Sequence, residues 1–141
     1  MDAVKILVAY DGGSAARRAL YKAAQLARAT RAPVGVISVV PLYHDRGRPS
    51  VAPWDDRERH RQNLEEAQSV FRASGIDADL IEAVGRPADQ INDVAAEQGY
   101  DIIVLGARRK GWLERLLTGS VMSDVLERVS ASEAATVVLV P

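Results

Sequence analysis

The chain has 141 residues, 48% of them hydrophobic and 26% charged, with a formal net charge of −1. A chain of this size buries roughly 68–70% of the surface its unfolded form exposes, which suits a single domain over residues 1–141. The near-neutral balance gives no electrostatic footing for nucleic acid or an anionic membrane as main partner, and the lack of cysteine excludes disulfides, thiolate metal sites and cysteine nucleophiles.

The two histidines, His44 and His60, lie in a charged stretch that offers no structural zinc site. The chain enters an apolar run within a few residues, without a basic start or a small-residue cleavage site. Its longest uncharged run, residues 32–43, falls short of the ~20 residues of a membrane span. A cytoplasmic protein is expected.

In chain order, residues 4–10 (VKILVAY) form a compact apolar run stopped by Asp11, Gly12 and Gly13, which reads as a buried strand ending in a turn. Ser14 is the expected N-cap of a helix with Ala16, Ala19, Leu20, Ala23, Ala24 and Ala27 at helical spacing. Pro33 closes it, and residues 34–40 give a second strand. Residues 41–53 hold three of the six prolines among charged and aromatic residues, and are expected to be an exposed, mobile connection. A charged helix follows, with Leu64, Ala67, Val70 and Phe71 inward and Gly75 at its end. Residues 78–84 are a third strand, and Gly85, Arg86 and Pro87 lead into a helix buried through Ala88, Ile91, Val94 and Ala95 and ended by Gly99. Residues 101–105 are a fourth strand, a basic loop leads to a helix from about Gly119, and residues 136–140 are the last strand.

Continuous apolar strands alternating with amphipathic helices predict an α/β protein: a three-layer α/β/α sandwich with a five-stranded, mainly parallel sheet and four helices. Any ligand is then expected outside the carboxyl ends of the strands, at a topological switch point. There the sequence offers Asp11, Gly12 and Gly13 after strand one, and Gly106 with Arg108, Arg109, Lys110 and Gly111 after strand four. Gly119, Ser120 and Val121 then open a helix. Glycine lets backbone N–H groups approach phosphate oxygens, and a helix N-terminus adds partial positive charge. The same glycine and serine are equally an ordinary helix cap.

Residues 101–106 (DIIVLG) and 113–121 (LERLLTGSV) resemble the signature of the universal stress protein family, as do residues 6–12 (ILVAYDG), Gly85-Arg86-Pro87 and residues 137–140 (VVLV). The resemblance covers essentially the whole chain. It implies a Rossmann-like, adenine nucleotide alpha hydrolase-like fold with strand order 3-2-1-4-5. The nucleotide-binding branch of that family carries glycine, two residues, glycine, nine residues, then glycine with serine or threonine. Gly106 matches the first glycine and Gly119 with Ser120 the last pair, whereas Arg109 stands where the second glycine belongs. Either Gly111 lets the loop re-form around a phosphate, or Arg109 supplies charge in place of a backbone donor.

The resemblance further implies ATP with Mg²⁺ as ligand, with phosphate donors at Gly106, Arg109, Gly111, Gly119, Ser120 and Val121. Asp11 would lie near the ribose and, through the nucleotide, the metal. The backbone of Val39 would face adenine with Leu105 beside it. Their structural roles are a turn-forming aspartate and two buried strand residues.

Other chemistries fail on residues. A receiver domain needs paired acids after strand one and an aspartate ending strand three; a Walker loop needs lysine followed by serine or threonine; neither GxGxxG after strand one nor GxSxG is present. The carboxylate pairs Asp55/Asp56 and Glu65/Glu66 read as solvated charge, and Trp112 as a packing or interface residue. No general base is evident near the expected phosphate site, so the chain is at most a slow ATPase. Two functions stand: an ATP-binding, nucleotide-dependent stress regulator, or a dimeric interaction module in which Arg109 has removed nucleotide binding. In both, a homodimer through the apolar last strand is expected, with the downstream partner and the stress unspecified.

Overall fold

The computed structural model describes residues 4–45, 47–51, 57–106 and 135–141. The first strand, β1 (Ile6–Ala9), is buried at every position, as a central strand covered on both faces must be. Helix α1 (Ser14–Thr30) follows, its buried stripe built almost wholly of alanine: Ala15, Ala16, Ala19, Ala23, Ala24 and Ala27, with Leu20. Small side chains on that stripe let the helix axis lie close over the sheet. The N-cap is Gly13 in extended conformation, without a side-chain cap, so Ser14 is the first helical residue rather than the cap.

Strand β2 (Val34–Asp45) runs well beyond its expected end and turns back as β3 (Arg48–Val51). The two pair antiparallel from Leu42↔Val51 to Asp45↔Arg48. Much of the segment expected to be an irregular connection is therefore a β-hairpin. Proline is compatible with this because β3 is a short flanking strand, where a missing N–H costs no ladder partner.

The remaining elements are α2 (Arg57–Ala73), β4 (Asp79–Gly85), α3 (Pro87–Gln98), β5 (Ile102–Gly106) and β6 (Thr136–Val140). Helix α3 begins with proline in its first turn and ends at Gly99, whose φ of 72° and N–H bond to the Ala95 carbonyl close the last turn. The expected fourth helix falls outside the described residues.

Parallel pairings link β4 to β2, β2 to β1, β1 to β5 and β5 to β6, and the hairpin strand makes the sheet six-stranded. The α/β class holds; the difference from a five-stranded sheet is β3. From β1 the chain steps outward to β2 and β4, then returns across β1 to β5 and β6. Parallel crossovers are right-handed, so reversing the direction of travel moves the connecting helix to the other face. Two cores separated by the sheet follow. Tyr10, Val8, Val36 and Val104 pack with the buried residues of α1 and with Leu64, Ala67 and Phe71 of α2. Leu7, Ala9, Ile37, Ile103 and Leu105 pack with Ile91, Val94 and Ala95 of α3. The strand order reverses between β1 and β5, the position at which open α/β sheets generally take their ligands.

Candidate functional site

The Tyr10 N–H donates to the Ile37 carbonyl at 2.9 Å, the last bond tying β1 to β2. The chain then leaves the sheet. Asp11 turns it: its Oδ1 accepts the Gly13 N–H at 2.8 Å, an aspartate turn that presents the first residues of α1. Gly12 sits at φ +85°, a conformation that a β-carbon disfavours. Its side-chain space is already occupied, since a Cβ there would lie 2.8 Å from Oδ1 and 3.3 Å from Nδ2 of Asn63.

The other wall is Gly106, at the end of β5. A Cβ there would lie 2.6 Å from both the Ala15 carbonyl oxygen and the Ala16 nitrogen. Gly106 is thus the point where β5 meets the first turn of α1 backbone to backbone. Asp11 and Gly106, expected at the same site, flank one switch point from opposite strands.

Val39 and Leu105 lie level with it. Leu105 is fully buried among the α3-side residues, and Val39 is half-buried against the same cluster. β1 pairs with β2 only as far as Ile37, so the β1-facing edge of β2 at Val39 runs past the end of its neighbour. Arg109, Gly111, Gly119, Ser120 and Val121 lie outside the described residues, as do Asp55, Asp56 and Trp112.

Three polar residues at this end escaped the sequence reading. Ser38 and His60 are buried and share a hydrogen bond of 2.5 Å between Oγ and Nδ1. Asn63 is 9% exposed, and its Nδ2 is buried with no hydrogen-bond partner among the described residues. His60, Asn63, Leu64, Ala67, Gln68 and Phe71 are the buried residues of α2. They follow the i, i+3, i+4, i+7 rule from position 60 onward, so the helical period carried the signal; the polarity of histidine and asparagine concealed it. Glu66 is not merely solvated charge: its Oε1 accepts the Tyr10 hydroxyl at 2.8 Å and pairs with Arg17 at 2.5 Å. Burial first, and the bond to Glu66 second, push Tyr10 up to about 12.

Among the described residues no group of three or more histidine, aspartate or glutamate side chains could hold a metal ion, and no helix is long and apolar enough to cross a membrane.

A mainly parallel sheet with helices on its faces, whose strand order reverses beside an aspartate–glycine turn, defines a Rossmann-like α/β protein. The model of the universal stress protein family matches residues 4–135, and the chain belongs to that family. A universal stress protein of Synechocystis is 32% identical over 136 residues, covering 96% of this chain and 84% of its own. Among solved structures, a universal stress family protein from Burkholderia pseudomallei superposes with a TM-score of 0.72 at 26% identity, covering 99% of this chain and 96% of that one. The universal stress protein from Archaeoglobus fulgidus in complex with dAMP superposes with a TM-score of 0.68 at 27% identity, and each chain is covered completely (100%).

Proposed function

We propose that this chain binds an adenine nucleotide, ATP with Mg²⁺, at the carboxyl ends of β1 and β5. It acts in the cytoplasm as a nucleotide-dependent regulator of the stress response, paired as a homodimer through β6. The observation that carries the reading is the pairing, at the strand-order reversal, of the Asp11–Gly12–Gly13 turn after β1 with Gly106 at the end of β5, whose backbone abuts the first turn of α1 that the aspartate turn leads into. The residues present fit the sugar end of a nucleotide: an acceptor in Asp11, and beside Gly12, in Asn63, a buried amide donor without a partner among the described residues. That the Archaeoglobus fulgidus relative was solved with dAMP supports the same class of ligand.

In this reading Gly106, Arg109, Gly111, Gly119, Ser120 and Val121 hold the phosphates, the Val39 backbone faces adenine, Leu105 backs it, and Asp11 orients the ribose. Bound Mg²⁺ would neutralise phosphate charge. The dimer is supported by β6, which pairs with β5 on one side and carries Leu139 at 41% exposure.

Arg109, in place of a glycine, favours a second reading: an interaction module without nucleotide. Titrating nucleotide-stripped protein with ATP and Mg²⁺ separates the two. Micromolar affinity, weakened by Gly119→Leu, is expected; no heat at millimolar ATP overturns the first reading. Arg109→Gly creating affinity where the parent has none identifies the arginine as the block.

A further inference from the structure

Asn63 combines three features at one point. It is nine-tenths buried, its Nδ2 has no hydrogen-bond partner among the described residues, and its amide lies in the side-chain space of Gly12, in the turn that Asp11 organises. A buried amide N–H without an acceptor is a standing cost to the fold, relieved by any oxygen that reaches it. The turn beneath it reaches the surface: Asp11 and Gly12 are half-buried and Gly13 is exposed. Gly12, held at φ +85°, carries no side chain, and the Asn63 amide takes the space that a Cβ would fill.

The neighbouring charge restricts what that oxygen can be. The carboxylate of Asp11 folds back over the same turn to accept the Gly13 N–H. An anionic oxygen here would sit beside a like charge, whereas a hydroxyl would not. A hydroxyl both donates and accepts, so it can give its proton to a carboxylate while taking one from an amide. An acceptor and a donor flanking two glycines therefore suit a sugar hydroxyl better than a phosphate.

We propose that Asn63 is a specificity-determining residue of the nucleotide site, its Nδ2 donating to a ribose hydroxyl held at the Asp11–Gly12–Gly13 turn. The proposal rests on the nucleotide-binding reading and adds to it a residue from α2. It also gives the ligand a hold on that helix, since the Tyr10 and Arg17 bonds to Glu66 lie on the next turn.

The test follows the side-chain amide of Asn63 by ¹H–¹⁵N NMR while unaltered protein is titrated with AMP, and then with 2′-deoxy- and 3′-deoxy-AMP. The expected result is a downfield shift of the Asn63 side-chain protons with AMP, reduced with one of the deoxy ligands. Asn63→Leu, which keeps the volume and removes the donor, should lower AMP affinity roughly ten-fold and erase the preference for AMP over that deoxy ligand. Backbone shifts at Asp11 to Gly13 without a shift of the Asn63 side chain overturn this inference and leave nucleotide binding standing. So does an Asn63→Leu protein that melts lower yet keeps its ligand preference, because the residue is then only structural. No shift anywhere with AMP or ATP overturns both.

Discussion

The Tyr10 hydroxyl donates to the Glu66 carboxylate across 2.8 Å, joining the residue just after β1 to the middle of α2. Arg17, from the first turn of α1, reaches the same carboxylate oxygen. The exit of β1, the first turn of α1 and the middle of α2 are thereby tied at one atom. The phenol ring lies in the core on the α1–α2 side, and only its tip takes part in the polar contact.

Tyr10→Phe keeps the ring and removes the bond. Glu66 is 42% exposed at its side chain and retains Arg17, so no buried charge is stranded. The expected loss is about 0.5–1.5 kcal/mol, read from chemical denaturation at neutral pH. The alkaline limb supplies a second readout. Because the phenol is raised in the folded state from 10.0 to about 12, its contribution is complete below pH 10 and is lost as pH rises toward 12. The stability difference between parent and Tyr10→Phe should therefore be constant up to about pH 10 and shrink beyond it.

Tyr100 is the counter-case. It is 2% exposed, Lys5 lies 4.4 Å from its ring centroid, and its hydroxyl is buried against Gly35 with no hydrogen-bond partner among the described residues. Burial first, then the charge of Asp79, raise its pKa. Tyr100→Phe removes an unsatisfied group and keeps the cation–ring contact, so stability should hold or rise by up to about 1 kcal/mol. A loss as large as that of Tyr10→Phe would show a partner for the hydroxyl.

The contrast also shows what a sequence can disclose. β1 and β5 are legible because burial on both faces demands unbroken apolar runs, and Gly99 and Gly75 mark helix ends because only the left-handed conformation closes them. The hairpin of β2 and β3 is not legible: its proline and charged residues are tolerated where a strand lies at the margin of the sheet, a position set by tertiary pairing. At the site, Asp11 and Gly106 could be found because turn chemistry is local. Ser38, His60 and Asn63 could not be given partners, since what satisfies a buried polar group lies in another element.

Ser38 and His60 make that last point measurable. Both are buried, at 0% and 4% exposure, and each holds the other through a single short bond. Ser38→Ala leaves the imidazole Nδ1 without this partner in a dry environment, for an expected loss of about 1–3 kcal/mol. The double change Ser38→Ala with His60→Leu should cost less than the sum of the two single changes, since it removes both ends of the bond together. Strict additivity in denaturation midpoints would mean that the bond contributes nothing.

Gly106 separates a steric requirement from a conformational one. Adding a methyl group there drives it into the Ala15 carbonyl and the Ala16 nitrogen, both backbone atoms that cannot rotate aside. β5 and α1 must then move apart, and overpacking of this kind costs about 1–3 kcal/mol. Gly99→Ala is the reference. Nothing lies within 4 Å of its added methyl, so only the left-handed backbone at φ 72° is disfavoured, at about 1 kcal/mol. The two variants should differ in kind as well as in size. Gly106→Ala displaces the first turn of α1, so it should shift the backbone amide resonances of Asp11 to Ala16, whereas Gly99→Ala should leave them in place. If Gly106→Ala leaves those resonances unmoved, the close approach of β5 and α1 is not what requires glycine at this position.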